Sequence, residues 1–104
     1  EAIPVQVTFR TTALQQAYET QKKAVRLWGE QVARKYVQRI DVVYAAGSAD
    51  DLFKVPPLRF HQLGGDMDGK YALTLHDRFR LIVSFEDTAM TMAVVEEVSN
   101  HYDD

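Results

Sequence analysis

The stretch Lys70–Phe85, KYALTLHDRFRLIVSF, carries the clearest structural pattern in the chain. Apolar side chains alternate with polar or small ones on both sides of Asp77-Arg78, and this period of two is typical of half-buried strands. The polar pair between the two runs favours a turn. We therefore predict an antiparallel hairpin with strands over 70–76 and 79–85. Its inward residues are Tyr71, Leu73, Leu75, Phe79, Leu81, Val83 and Phe85.

Upstream of this hairpin the pattern changes from strand to helix. Alternation over 5–9 predicts a first strand, and helical spacing follows over 12–28 and over 30–46. Gly29 and Gly47 lie where the two helices would end. Residues 48–57, SADDLFKVPP, combine turn formers with a proline pair that cannot continue a helix. We therefore expect the helical half of the chain to end there.

Two further strands complete the predicted order. Residues 58–63 read as a short strand, and 90–98 as a last strand whose apolar run, Met92 to Val95, suggests burial on both faces. Neither an amphipathic helix pair nor a half-apolar sheet can bury its apolar side alone. We therefore predict a single α+β domain over residues 1–104. A two-helix hairpin packs on one face of a twisted antiparallel sheet, in the order β-α-α-β-β-β-β.

The opposite sheet face is where we expect a polar ligand to bind. The side chains assigned to that face are Arg80, Ile82, Ser84, Lys70, Ala72, Thr74 and His76. Arg80 stands out, because a guanidinium there is either a solvated charge or a phosphate clamp. Glu96-Glu97 is a less promising pair, because adjacent strand residues point to opposite faces and cannot share one site.

Composition and charge narrow the protein class. The chain has 104 residues, of which 46% are hydrophobic and 26% charged, and it contains no cysteine and no apolar run long enough for a membrane span. We expect a soluble, cytoplasmic domain with no membrane association. The net charge of −3 is the sum of +1 over 1–53, +2 over 54–85 and −6 over 86–104. This balance counts against a general nucleic-acid binder.

Short motifs do not predict a metal or a cofactor. "DMDG" over 66–69 lacks the later ligand and glycine of a calcium loop, and "GGDMDG" matches no phosphate-binding glycine pattern. The three histidines, at 61, 76 and 101, lack the spacing of a zinc motif. We predict neither a metal nor a cofactor, and the glycines are more consistent with a turn.

The segments "RFHQLGGD", "GKYALTL", "FRLIVSF" and "EEVSNHY" together resemble the RelE/ParE toxin superfamily, and more closely its HigB-like, plasmid maintenance system killer group. The resemblance runs from the first strand to the C-terminus. It implies a helical hairpin on a twisted antiparallel sheet. It also implies a toxin of a type II toxin-antitoxin system that cuts mRNA in the ribosomal decoding site and inhibits translation.

By position, the resemblance also implies which residues act. His61 and Asp66 match the ends of an H-x-L-x-G-D element. The catalytic set it implies is Arg80, His101, His61 and Tyr102. The set implied to contact RNA is Arg59, Lys70 and Arg78. The implied chemistry is attack by an RNA 2′-OH on the adjacent phosphate without a metal. A histidine, His101 first and His61 next, moves the proton, while Arg80 stabilises the charged phosphorane.

Three functions stay open at this point. The first is the ribosome-dependent endoribonuclease. The second is a non-enzymatic, ParE-like toxin that contacts gyrase, which Gly64 favours because the family commonly has a lysine there, and which the acidic tail favours as well. The third is a degenerate toxin kept for antitoxin binding. All three imply a cognate antitoxin and allow an antitoxin-bridged hetero-oligomer, and the first adds the ribosome and mRNA.

Overall fold

A computed structural model describes residues 4–100, in which five strands form one sheet. The strands are β1 (Gln6–Phe9), β2 (His61–Gln62), β3 (Lys70–Thr74), β4 (Arg80–Phe85) and β5 (Met92–Ser99). Their spatial order is β1-β5-β4-β3-β2. Neighbours are antiparallel except β1, which runs parallel to β5. The predicted α+β architecture is confirmed, with a sheet that is mostly antiparallel.

The helices cover one face of this sheet. They are α1 (Thr12–Glu19), α2 (Gln21–Trp28), α3 (Glu30–Ala45) and the short α4 (Ala49–Phe53). Buried residues of these helices share one core with the inward side chains of the strands, among them Tyr36, Leu73, Leu81 and Val83. All seven residues predicted to face inward on the hairpin are part of this core or pack against it. The alternation in Lys70–Phe85 therefore assigned the faces of β3 and β4 correctly.

The first helix is broken, although the sequence predicted one helix over 12–28. Thr20 adopts an extended conformation with φ −130° and ψ 107°, ending α1 and capping α2. A β-branched residue has a lower helix propensity than a straight-chain residue, so less free energy is lost when it leaves the helical conformation. The break lets α1 pack its Tyr18 ring against Phe9 of β1, while α2 packs Trp28 against Tyr36 of α3. Tertiary contacts thus override the helical periodicity.

Residues 48–57 contain a helix that the sequence analysis did not predict. Ser48 accepts a hydrogen bond from the Asp50 backbone N–H, and Asp50 and Asp51 lie in the first turn of α4. Carboxylates at the N-terminal end stabilise a helix, because they interact favourably with the positive pole of its dipole. The proline pair then ends this region as a 3-10 turn over Pro56–Leu58.

The strand predicted over 58–63 shrinks to β2, two residues long. Leu58 belongs to the 3-10 turn, and Arg59 follows it in a left-handed conformation with φ 48° and ψ 45°. That conformation interrupts an extended chain. Beyond β2, Leu63 and Met67 fold over Ala72 and Ile82, so the middle of the outer sheet face is covered by apolar side chains. The sequence predicted that this outer face is open, but only parts of it are available to a ligand.

A β-bulge in β5 contradicts the expectation for Glu96 and Glu97. Val95 lies opposite Val83 and Val98 opposite Leu81, so both valines point to the helices although they are three positions apart. The extra residue puts both glutamates on the outer face. The prediction that they point to opposite faces is wrong, because strict alternation assumes an uninterrupted ladder.

Candidate functional site

An open cleft of about 410 Å³ lies at one end of the outer sheet face. Its lining, taken from residues 4–100, consists of Arg59, Phe60, His61, Thr74 and Arg80. Two arginines and one histidine therefore line the same cleft, and its described lining contains no carboxylate. Three residues that the sequence analysis assigned to the site, Arg59, His61 and Arg80, are brought together here.

The 3-10 turn directs the chain into this cleft. The proline pair occupies the start of the turn, and the Arg59 backbone N–H donates to the Pro56 carbonyl at 3.0 Å. Proline suits this place because its ring pre-sets φ and it needs no donor there. The left-handed backbone of Arg59 then reverses direction, so that Arg59 and His61 both reach the cleft.

His61 is oriented by the backbone of its neighbour. The residue lies on β2 opposite Ala72 of β3, and its ring Nδ1 is 2.8 Å from the Arg59 carbonyl oxygen. Because that carbonyl belongs to the left-handed residue, the ring orientation depends on the shape of the turn. No pattern in the sequence predicted this contact.

Arg80 begins β4 and is paired on both sides. It lies opposite Thr74 of β3 and opposite Ser99, the last residue of β5. Its guanidinium donates to the Arg78 carbonyl at 3.2 Å. Arg80 thus occupies the sheet end nearest the hairpin turn, half-buried between two strands.

Two residues that the sequence analysis did not count as functional support this end of the sheet. The Thr74 hydroxyl lies 2.9 Å from the Pro57 carbonyl and 3.2 Å from the Leu58 carbonyl. Arg39 of α3, which the sequence analysis put on the polar side of its helix, donates from Nε to the Thr74 carbonyl at 2.9 Å. Partial burial of this guanidinium lowers the pKa of Arg39. A helical wheel cannot show such a contact, because it depends on which strand end the helix crosses.

The remaining predicted site residues are distributed more widely. Arg78 lies in the turn before Arg80 and is exposed, whereas Lys70 lies at the far end of β3, four residues from Thr74, or about 13 Å along the strand. Asp66 is exposed on the 3-10 turn Gly65–Met67. His101 and Tyr102 lie outside the described residues.

A second polar cluster, the Arg10 cluster, consists of Arg10, Glu96 and Ser84. Arg10 donates to both carboxylate oxygens of Glu96, at 3.0 and 2.8 Å, and the Ser84 hydroxyl donates to the same carboxylate. The hydrogen bond from Arg10 holds the pKa of Glu96 below its ordinary value, and the same bond raises the pKa of Arg10. This cluster is internally paired and lies on the part of the sheet formed by β4 and β5.

Within residues 4–100, no three metal-binding side chains come together. In the same range no helix is long and apolar enough to span a bilayer.

Comparisons with known proteins agree with this architecture. A chain from the YoeB-YefM complex of Staphylococcus aureus matches with a TM-score of 0.61 at 14% identity, over 94% of this chain and 98% of that one. A YoeB/ParE toxin from Agrobacterium tumefaciens matches with a TM-score of 0.55 at 15% identity, over 93% and 99%. At such identities the likeness concerns the fold.

No curated protein matches the sequence significantly. A family model does match, over residues 7–98, and its description is a RelE-like toxin of the type II toxin-antitoxin system HigB. That span contains all five strands, except for Gln6 and Ser99 at the ends of β1 and β5, and the whole described cleft. The chain therefore belongs to the HigB-like toxins, the RelE-like toxins of type II toxin-antitoxin systems.

Proposed function

We propose that this toxin cuts mRNA on the ribosome and thereby stops translation. The observation that carries the proposal is the cleft, where Arg59, His61 and Arg80 line one hollow. Guanidinium groups bind phosphate through paired N–H donors, and an imidazole exchanges protons near neutral pH. An RNA phosphate beside a 2′-hydroxyl needs both kinds of group.

In the proposed reaction the RNA 2′-oxygen attacks the adjacent phosphorus while its proton passes to a base. The bond from phosphorus to the 5′-oxygen breaks, and that oxygen takes a proton from an acid. The products are a 2′,3′-cyclic phosphate and a 5′-hydroxyl. His61 is one of the two proton-transfer groups, and Arg80 with Arg59 stabilises the phosphorane.

The remaining residues of the predicted site have supporting roles in this proposal. His101 is the second proton-transfer group, and Tyr102 stacks on a base or orients a histidine. Arg78 and Lys70 contact the RNA backbone on either side of the scissile phosphate. Such a reaction requires ribosomes, so the proposal implies that the toxin acts in the cytoplasm.

We also propose an antitoxin protein as the partner. The family consists of toxins of toxin-antitoxin systems, and a structurally similar chain was solved in a YoeB-YefM complex. Binding by that partner would keep the toxin inactive. An antitoxin-bridged hetero-oligomer stays a prediction.

The test is primer extension on a defined mRNA, with and without programmed ribosomes. We expect cuts that require ribosomes with the wild-type protein and no cuts with Arg80→Ala. Arg26→Ala is the matched control, because Arg26 is exposed on α2, outside the cleft lining. Circular dichroism melts of all three proteins verify folding.

Intact mRNA with folded, growth-inhibiting wild-type protein would overturn the proposal. It would favour a toxin that acts by protein contact, which a gyrase pull-down then tests. Intact mRNA with no growth inhibition would favour a degenerate toxin kept for antitoxin binding.

A further inference from the structure

We propose that Thr74 is a positioning residue that sets the tautomer of His61 through the turn over residues 56–59, an inference that rests on the proposed function. Thr74 lines the cleft, yet its hydroxyl is directed to backbone carbonyls. Its role is therefore to act on the imidazole through the turn.

The Thr74 hydroxyl ties β3 to the turn. It lies 2.9 Å from the Pro57 carbonyl and 3.2 Å from the Leu58 carbonyl, across 17 and 16 residues of sequence. A hydroxyl has one proton, so it is shared between these two acceptors. These carbonyls belong to the two residues before Arg59, so this contact restrains the backbone where it enters the left-handed conformation.

Thr74 is itself held from the helix layer. Arg39 of α3 donates to its backbone carbonyl at 2.9 Å, and Thr74 pairs with Arg80 across the ladder. Because a helix and two strands converge on one threonine, the hydroxyl has little freedom to follow a moving turn. The hydroxyl therefore fixes the position of the turn relative to the sheet.

The turn determines which nitrogen of His61 carries the proton. Nδ1 lies 2.8 Å from the Arg59 carbonyl, and a carbonyl only accepts. Nδ1 must therefore be the donor, and in the neutral ring Nε2 is then the proton acceptor. A base that takes a proton from a 2′-hydroxyl needs an acceptor nitrogen. An imidazole without this carbonyl prefers the opposite tautomer, with the proton on Nε2.

The test compares wild type with Thr74→Val, which keeps the shape but removes the donor, and with Thr74→Ser, which restores it. Thr8→Val is the matched control, since Thr8 is exposed on β1 at the opposite edge of the sheet. Nitrogen-15 NMR of the imidazoles, at about pH 8.5 where histidine is ordinarily neutral, reports the tautomer directly. A His61→Asn variant assigns the signals.

We expect the Nδ1–H form of His61 in wild type, Thr74→Ser and Thr8→Val, and a shift toward Nε2–H in Thr74→Val. Single-turnover mRNA cleavage on saturating ribosomes falls about 10-fold in Thr74→Val, a part of the 10²- to 10⁴-fold typical of a proton-transfer group. KM stays near the wild-type value, and Thr74→Ser recovers the rate.

A folded Thr74→Val protein that keeps the Nδ1–H signal would overturn the inference, as would a wild type that shows Nε2–H. A purely structural threonine would lower the melting temperature without changing the tautomer of the folded protein. Wild type that leaves mRNA intact would overturn the proposed function, and the spectra would still decide whether Thr74 sets the tautomer.

Discussion

The cleft and the Arg10 cluster use the same residue type in opposite ways. Arg10 forms a bidentate ion pair, with two hydrogen bonds to the carboxylate of Glu96, whose side chain is 9% exposed. In the cleft, Arg80 and His61 contact backbone carbonyls of Arg78 and Arg59, and the described lining contains no carboxylate. The difference shows that the Arg10 cluster pairs its opposite charges with each other, whereas the described contacts in the cleft orient side chains through backbone carbonyls.

The largest expected difference is in catalysis. Arg80→Ala should lower ribosome-dependent mRNA cleavage by about 10²- to 10³-fold, the loss typical when one transition-state donor is removed. Arg80→Lys should recover only part of the rate, because an ammonium lacks the two-pronged geometry of a guanidinium. Arg10→Ala should leave the rate unchanged. Equal losses in Arg10→Ala and Arg80→Ala, measured by primer extension, would break the comparison.

A smaller effect is expected at the rim of the cleft. Arg59→Gln removes a charge while keeping a long side chain, and it should weaken binding of the toxin to mRNA-programmed ribosomes by about 10-fold. The loss should shrink as salt rises, since one fewer phosphate contact releases fewer counterions. Arg59→Lys should retain both the affinity and its salt dependence. Affinities measured across a salt series test this, and a loss independent of salt would argue against a phosphate contact.

The Arg10 cluster should affect stability instead. Glu96→Gln leaves an acceptor for Arg10 and Ser84 but removes the charge, so we expect the free energy of unfolding to fall by about 1 kcal/mol. Cleavage by the folded protein should remain at the wild-type rate. Urea titrations measure the stability and primer extension the activity. Reduced cleavage by a fully folded variant would show that the two regions are coupled.

The smallest expected effect is the pH dependence of the stability difference between wild type and Glu96→Gln. The hydrogen bond from Arg10 depresses the pKa of Glu96, so its contribution is fully present above the ordinary carboxyl pKa, about 4.3, and is lost as pH falls through the folded value. The stability gap between wild type and Glu96→Gln should therefore close in acid. The pKa of Asp87, lowered mainly by its hydrogen bond from Thr91, affects both proteins alike and cancels. Urea titrations between neutral and acidic pH test this, and a constant gap would exclude the charge as its cause.

Much of the fold could be predicted because local patterns recur at fixed periods. Tyr71 through Phe85 alternate as a hairpin must, and Gly29, with φ 88°, ends α2 as expected for a residue without a side chain. The predictions failed where one residue changes the period. Thr20 breaks a helix, Arg59 ends a strand and the bulge at Glu96 moves a carboxylate to the other face. Each departure serves packing against a distant segment, which no short window of sequence contains.

The sequence by itself determined which side chains face the core of β3 and β4, the α+β layering and the family. Through the resemblance to that family it also predicted Arg59, His61 and Arg80 as site residues. Only the tertiary structure decided that these three share one cleft, that Thr74 and Arg39 support it and that Glu96 pairs with Arg10. The physical reason is the distance along the chain over which each feature is determined. Periodicity is set by backbone geometry between neighbours, whereas the cleft depends on strand register and on hydrogen bonds between residues far apart in the chain.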